Sequence, residues 1–370
     1  MIYLDNAATT LQKPPQVRGA VAYALEHLPS PGRGGHPAAM EAADVLYRAR
    51  SAAAQLFDAE PEQVVFTMNA THGLNIAIKS LIHSGDMVLL SGFEHNAVLR
   101  PLYALGAKLR ICGRRLFDPE DTVAAFAASL TPEVKAVVCT HVSNVFGYRL
   151  PVEQIAALCR ERGVPLIVDA SQSAGLLPVS LKEWQAAYVA MPGHKGLYGP
   201  QGTGILLCGQ VPQPLMEGGT GVLSRQWTMP EELPERAEAG THNMPGICGL
   251  LAGLTYLRQE DGETRRSREE RLTRQLCSGL ASMDHVRVFT GSPQTNVVSA
   301  VLRNLDSETA AQHLAEEGIA VRAGLHCAPL AHESAGTLEG GTVRFSLSAF
   351  TTETEIIRTL EVVERLKSFA

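Results

Sequence analysis

Lys195 follows His194 directly and precedes glycines at 196, 199, 202 and 204, four in nine residues. Glycine permits tight turns and close approach of the backbone to something bulky. The strand-like run Gly204–Cys208 comes next. Such a lysine is either a solvated residue on a surface turn or an amine held in a pocket, where it can form a Schiff base. A second chemically able residue stands 195 − 169 = 26 positions earlier, where Asp169 ends the apolar run Val164–Val168. A carboxylate at the end of a buried strand is costly unless it is paired. Taken alone, with small polar residues after it, Asp169 also reads as a helix cap.

The elements that must position these groups alternate. Residues 42–57 carry a helical pattern. Gln63–Phe66 is a short strand running into the small-residue turn Thr67–Gly73, Asp86–Leu90 is a strand ending in Ser91–Asn96, and Lys135–Thr140 is a strand ending in His141–Asn144. A helix over 152–162 puts Val152, Ile155, Ala156 and Cys159 on one face. Apolar strands alternating with helices indicate a mainly parallel sheet covered on both faces, in which ligands gather at the carboxyl ends of strands. Every polar cluster just named lies at such an end. Beyond about residue 250 the pattern changes to a long helix, strands at 286–289 and 296–302, a helix at 307–317, a strand at 341–348 and a final helix from about 353. The expectation is an α/β protein with an arm over 1–15 associated with the small domain, a large domain over 16–250, and a smaller α+β domain over 251–370.

Bulk properties remove several function classes. The 370 residues carry a net charge of −6, which argues against affinity through phosphate neutralisation and so against nucleic acid or a membrane surface as partner. The opening MIYLDNAATT has neither a basic nor an apolar signal region, and no apolar run approaches the length of a membrane span. The seven cysteines are scattered, with no C-x-x-C pair, so a zinc knuckle or a disulfide framework is not expected and a reducing cytoplasm is. His326, Cys327 and His332 lie close in sequence without further spaced ligands, so no metal is expected. P-loop, dinucleotide, H-E-x-x-H and G-x-S-x-G motifs are missing.

Pyridoxal phosphate requires a Schiff-base lysine, an acid partner for its pyridinium nitrogen and a phosphate cup, and all three have candidates here at strand ends. On ten segments in order, the chain resembles the cysteine desulfurase family of the class V aminotransferase group, fold-type-I pyridoxal-phosphate enzymes. The segments are YLDNAATT, GGHPAA, NATHGLN, EHNA, SNVFG, VDASQSAG, GHKGLYGPQGTG, EAGTHN, RAGLHC and VRFSLS. The resemblance implies that Lys195 holds the cofactor, Asp169 keeps its ring nitrogen protonated, Gln172 bonds its phenolic oxygen, and His95 stacks on the ring and takes part in proton transfers. It implies a phosphate cup of Ala70, Thr71 and His194, completed by Thr241 from the partner subunit of a homodimer. Asn144 and Arg344 would hold the substrate carboxylate, and Cys327 would be the nucleophile on a mobile loop.

The implied reaction takes sulfur from L-cysteine, forms a persulfide on Cys327 and releases L-alanine, with a sulfur-acceptor protein downstream and His326 beside the thiol as an aid to ionisation. One position departs from the family pattern: Pro192 stands where many desulfurases have a phosphate-contacting serine. The short RAGLHCAP loop looks like the second group of desulfurases, which includes selenocysteine lyase-like members. A selenocysteine lyase or another class V aminotransferase, and a non-catalytic cofactor-binding protein, are the rival readings.

Overall fold

The structure is a computed structural model that describes residues 1–31, 34–259, 262–303 and 305–369. Its strands, in chain order, are β1 (Ile2–Tyr3), β2 (Val64–Thr67), β3 (Met87–Ser91), β4 (Lys108–Cys112), β5 (Val134–Thr140), β6 (Leu166–Asp169), β7 (Tyr188–Pro192), β8 (Gly204–Cys208), β9 (Val286–Phe289), β10 (Val297–Leu302), β11 (Ile319–Ala320), β12 (Arg322–Gly324) and β13 (Thr342–Ser346). Seven of them form one sheet in the order β2-β8-β7-β6-β5-β3-β4. It is parallel from β7 to β4, while β8 runs antiparallel to both its neighbours.

Successive strand residues point to opposite faces, and the sheet's core divides accordingly. Val65, Val88, Leu90, Val138 and Ile167 pack under the helices Ala70–Leu81 and Asn96–Leu105. Phe66, Leu89, Val137, Val168 and Val189 pack on the other face with Ala52, Phe126 and Ile155. The helix expected over 152–162 is found as Val152–Arg162, with Val152, Ile155, Ala156 and Cys159 buried. Gly163 ends it in the left-handed conformation (φ 64°) that glycine adopts without penalty.

The second unit is the antiparallel sheet β12-β13-β10-β9 covered by the helices Gly262–Ala281, Ser307–Glu316 and Glu353–Arg365. Its core of Leu272, Leu276, Val298, Phe345, Ile356 and Val363 also takes in Leu4 from the start of the chain. The arm is held there by β1 pairing with β11 and by Ser346 N–H donating to Leu4 C=O at 2.7 Å. The helix Met244–Gln259 crosses the expected 250/251 division, and its Leu250, Leu254 and Leu257 pack in the core of the large sheet. We therefore propose the division after this helix. Among the described residues, no helix is long and apolar enough to cross a membrane.

Candidate active site

The parallel strands release their chains on one side of the large sheet, and a cavity of about 230 Å³ lies there, lined from both units. It brings together Lys195, Asp169, Gln172, His95, Ala70, Thr71, His194, Asn144, Arg344 and Cys327. Thr241 does not reach it. That residue is exposed and borders two other clefts, beside His242 and Asn243.

Asp169 is the last residue of β6 and only 3% exposed. No helix follows it. Its Oδ1 accepts from Ser171 N–H at 2.9 Å and from the Ser171 hydroxyl, so the turn, not a helix cap, satisfies this oxygen. The neighbouring strand β7 leads into the loop carrying Lys195, and a side chain on Gly196 would run into the Ala174 carbonyl. That close approach presses the lysine loop onto the loop that follows Asp169. Burial pulls the Lys195 amine down to about 8, with Asp169 opposing and the Arg344 charge adding to the shift.

Ala70 and Thr71 open a twelve-residue helix directly after β2. First-turn N–H groups have no partner within their own helix and favour an anion. A side chain on Gly204 would stand 2.8 Å from Asn69 Cα, so β8 can lie against this helix start only as glycine. His194 Nδ1 is buried without a partner, and burial holds that ring down to about 4. His95 caps the helix Asn96–Leu105: its Nδ1 accepts from Ala97 N–H at 3.0 Å, which puts the ring proton on Nε2. Burial lowers its pKa to about 4, so the ring is neutral near pH 7. Gln172 donates from Nε2 to Ala7 C=O at 2.9 Å.

Arg344 on β13 is 2% exposed. It donates to Asn144 C=O at 3.0 Å and to Asp5 Oδ1 at 2.8 Å, and its Nε is buried without a partner. Asp5 also faces Arg322 at 3.7 Å, and Arg322 lines the cavity. Asp5 and Arg322 stand within YLDNAATT and RAGLHC, but neither is among the site residues that the sequence indicates. Nor does the sequence indicate Glu94. It is fully buried, joins β3 to β5 by accepting from the Ser91 hydroxyl and from Thr140 N–H at 2.8 Å, and is pushed by burial up to about 8.

Cys327 is the one exposed cysteine of seven. It sits in the turn Leu325–Ala328, closed by Ala328 N–H donating to Leu325 C=O at 2.9 Å, with φ of 49° at His326 and 57° at Cys327. Two successive non-glycine residues in the left-handed region cost about 1–2 kcal/mol each, so the surroundings must hold this turn. His326 does not assist the thiol as a cation. Its Nε2 lies 3.2 Å from both Thr342 O and Thr342 Oγ1, and burial, with Arg344 adding, drives the ring down to about 2. Pro192 ends β7 at the cavity wall and brings no hydroxyl there. Among the described residues, no cluster of histidine, cysteine and carboxylate side chains is arranged to hold a metal.

A buried amine beside a buried carboxylate, a helix start with free N–H groups and an orphaned imidazole nitrogen fit one kind of guest: a phosphorylated aldehyde with a basic ring nitrogen. Pyridoxal phosphate is such a molecule. The fold and site define the fold-type-I class of enzymes that use it. The family profile for "Aminotransferase class-V" matches residues 2–358, and the chain belongs to that family. A probable cysteine desulfurase of Methanothermobacter thermautotrophicus is 33% identical over 385 residues, which cover 99% of this chain and 94% of that one. The apo structure of a cysteine desulfurase from Thermococcus onnurineus NA1 superposes with a TM-score of 0.89 at 30% identity, covering 100% of this chain and 95% of that one. A C-DES mutant with glycine covalently linked to its PLP cofactor superposes with a TM-score of 0.82 at 26% identity, covering 98% and 96%.

The amine reacts with an aldehyde only when neutral. Uptake of pyridoxal phosphate by the apo-protein should therefore speed up as pH rises through about 8, the value to which burial lowers Lys195. Stopped-flow absorbance across pH 6 to 10 would read this, and a midpoint near the ordinary lysine value would contradict it.

Proposed function

We propose that the protein is a pyridoxal-phosphate-dependent cysteine desulfurase that converts L-cysteine to L-alanine and leaves the sulfur as a persulfide on Cys327. The observation that carries this reading is the single exposed thiol lining the same cavity as Lys195 and Asp169. When bound, the cofactor supplies an electron sink for the pair left at Cα once its proton is removed.

The chain's own residues do the rest. Lys195 would hold the cofactor through its amine and, when that amine is free, would move the Cα proton. Asp169 would hold a proton on the ring nitrogen, Gln172 would bond the phenolic oxygen, and neutral His95 would stack on the ring and hold a proton at Nε2. Ala70, Thr71 and His194 would bind the phosphate. Arg344 would take the substrate carboxylate together with Asn144, using a guanidinium already oriented by Asp5. The Cys327 thiolate attacks the substrate sulfur. The S–S bond forms as the C–S bond breaks, and the carbon fragment leaves as alanine after protonation.

The reading extends to partners. The four-residue turn holding Cys327 supports the second group of desulfurases, and its exposure suits delivery of sulfur to an acceptor protein. Thr241, exposed and away from the chain's own cavity, would complete the phosphate site of a second copy. Six buried free thiols are compatible with a reducing compartment such as the cytoplasm.

Loss of the thiol separates desulfuration from the chemistry that precedes it. Cys327→Ala should retain the visible cofactor band, which Lys195→Ala abolishes, and should still change spectrum with L-cysteine. Its alanine release should fall by several powers of ten, each about 1.4 kcal/mol of barrier. Unchanged alanine release would refute the assignment. Light scattering on the eluting holoenzyme should give the mass of a dimer, and Thr241→Ala should loosen the cofactor; a monomer that holds the cofactor tightly would remove the shared phosphate site.

A further inference from the structure

Contacts from three residues outside the turn hold His326 and Cys327, its two left-handed residues. The His326 ring bonds Thr342 within the small domain. Asn96 N–H, at the first turn of its helix, donates to Cys327 C=O at 2.7 Å. Asn144 Nδ2 donates to His326 C=O at 2.8 Å. Among the described residues, Asn144 is the one side chain of the large domain that reaches the turn's carbonyls.

Asn144 is itself fixed. It is 8% exposed, its own carbonyl accepts from Arg344 at 3.0 Å, and the next carbonyl, at Val145, accepts from the Ser299 hydroxyl at 2.6 Å. A primary amide carries two N–H donors. One is given to the turn, and the side chain also lines the cavity.

We infer that Asn144 is a positioning residue for Cys327: its amide latches the left-handed turn in place while presenting its second N–H to the substrate, so that one side chain registers nucleophile and substrate against each other. The catalytic meaning of this latch rests on the desulfurase reading above; the latch itself is a matter of which group holds the turn. A residue in a sparsely populated backbone region stays there only while its surroundings over-determine it. Without the amide, His326 C=O has no partner from the large domain, and the turn relaxes away from the left-handed geometry.

The exposed thiol reports this directly, because the six other cysteines are buried. In the resting holoenzyme, Asn144→Ala and Asn144→Asp should be alkylated at Cys327 by iodoacetamide several-fold faster than the parent, with the visible cofactor band unchanged. The aspartate variant keeps the volume and sets an oxygen against the His326 carbonyl, so it separates loss of the donor from loss of packing. With L-cysteine, kcat should fall by a larger factor than KM rises. Parent-like alkylation rates in both variants would show that the turn is held without Asn144 and would overturn the inference. Faster alkylation in the variants, with no desulfuration by the parent, would uphold the latch and reject the proposed reaction.

Discussion

The site depends on keeping a carboxylate at the dry end of a buried strand. Asp169 ends β6 between two parallel neighbours, where an unpaired charge would cost several kcal/mol. Its turn, the Lys195 amine and the glycine contacts that press the two loops together all answer that demand. The same burial lowers the amine toward 8 and brings it within reach of neutrality at physiological pH. Stability and reactivity here follow from one arrangement.

The second organising feature is the seam between the two units. Asp5 comes from the arm, Arg322 and Arg344 from the small sheet and Asn144 from the loop after β5, yet they form one hydrogen-bonded and ion-paired set. The turn bearing Cys327 belongs to the small unit and hangs its carbonyls on the large one. Any change in how the units sit together is therefore felt at both Arg344 and the thiol.

Much of this was legible in the chain. The helix 152–162 and the buried strands β5 and β6 show because apolar periodicity is strong where both faces of a sheet are covered. The edge strand β4 does not, since the charged Lys108 and Arg110 interrupt its apolar residues. Strand-end motifs point to Lys195, Asp169 and His95, and the structure brings all three to one cavity, because side chains at strand ends lie close to where the backbone puts them. Arg322 and Asp5 are not legible in the sequence because their meaning lies in a pairing across 317 residues, which no local pattern contains. Sequence adjacency makes His326 a helper of the thiol; left-handed backbone at both positions sends its ring inward to Thr342 instead. Glu94 escaped because burial of a carboxyl is a property of the packed sheet and not of the EHNA motif.

The central claim is that Cys327 receives the substrate's sulfur. Holoenzyme mixed briefly with L-cysteine in the absence of any reductant, quenched, digested and analysed by mass spectrometry tests it most directly. The account predicts a gain of one sulfur atom on the peptide containing Cys327, on no other cysteine peptide, together with one equivalent of L-alanine. Alanine formed with no added sulfur on that peptide, or with the sulfur on a buried cysteine, would contradict it.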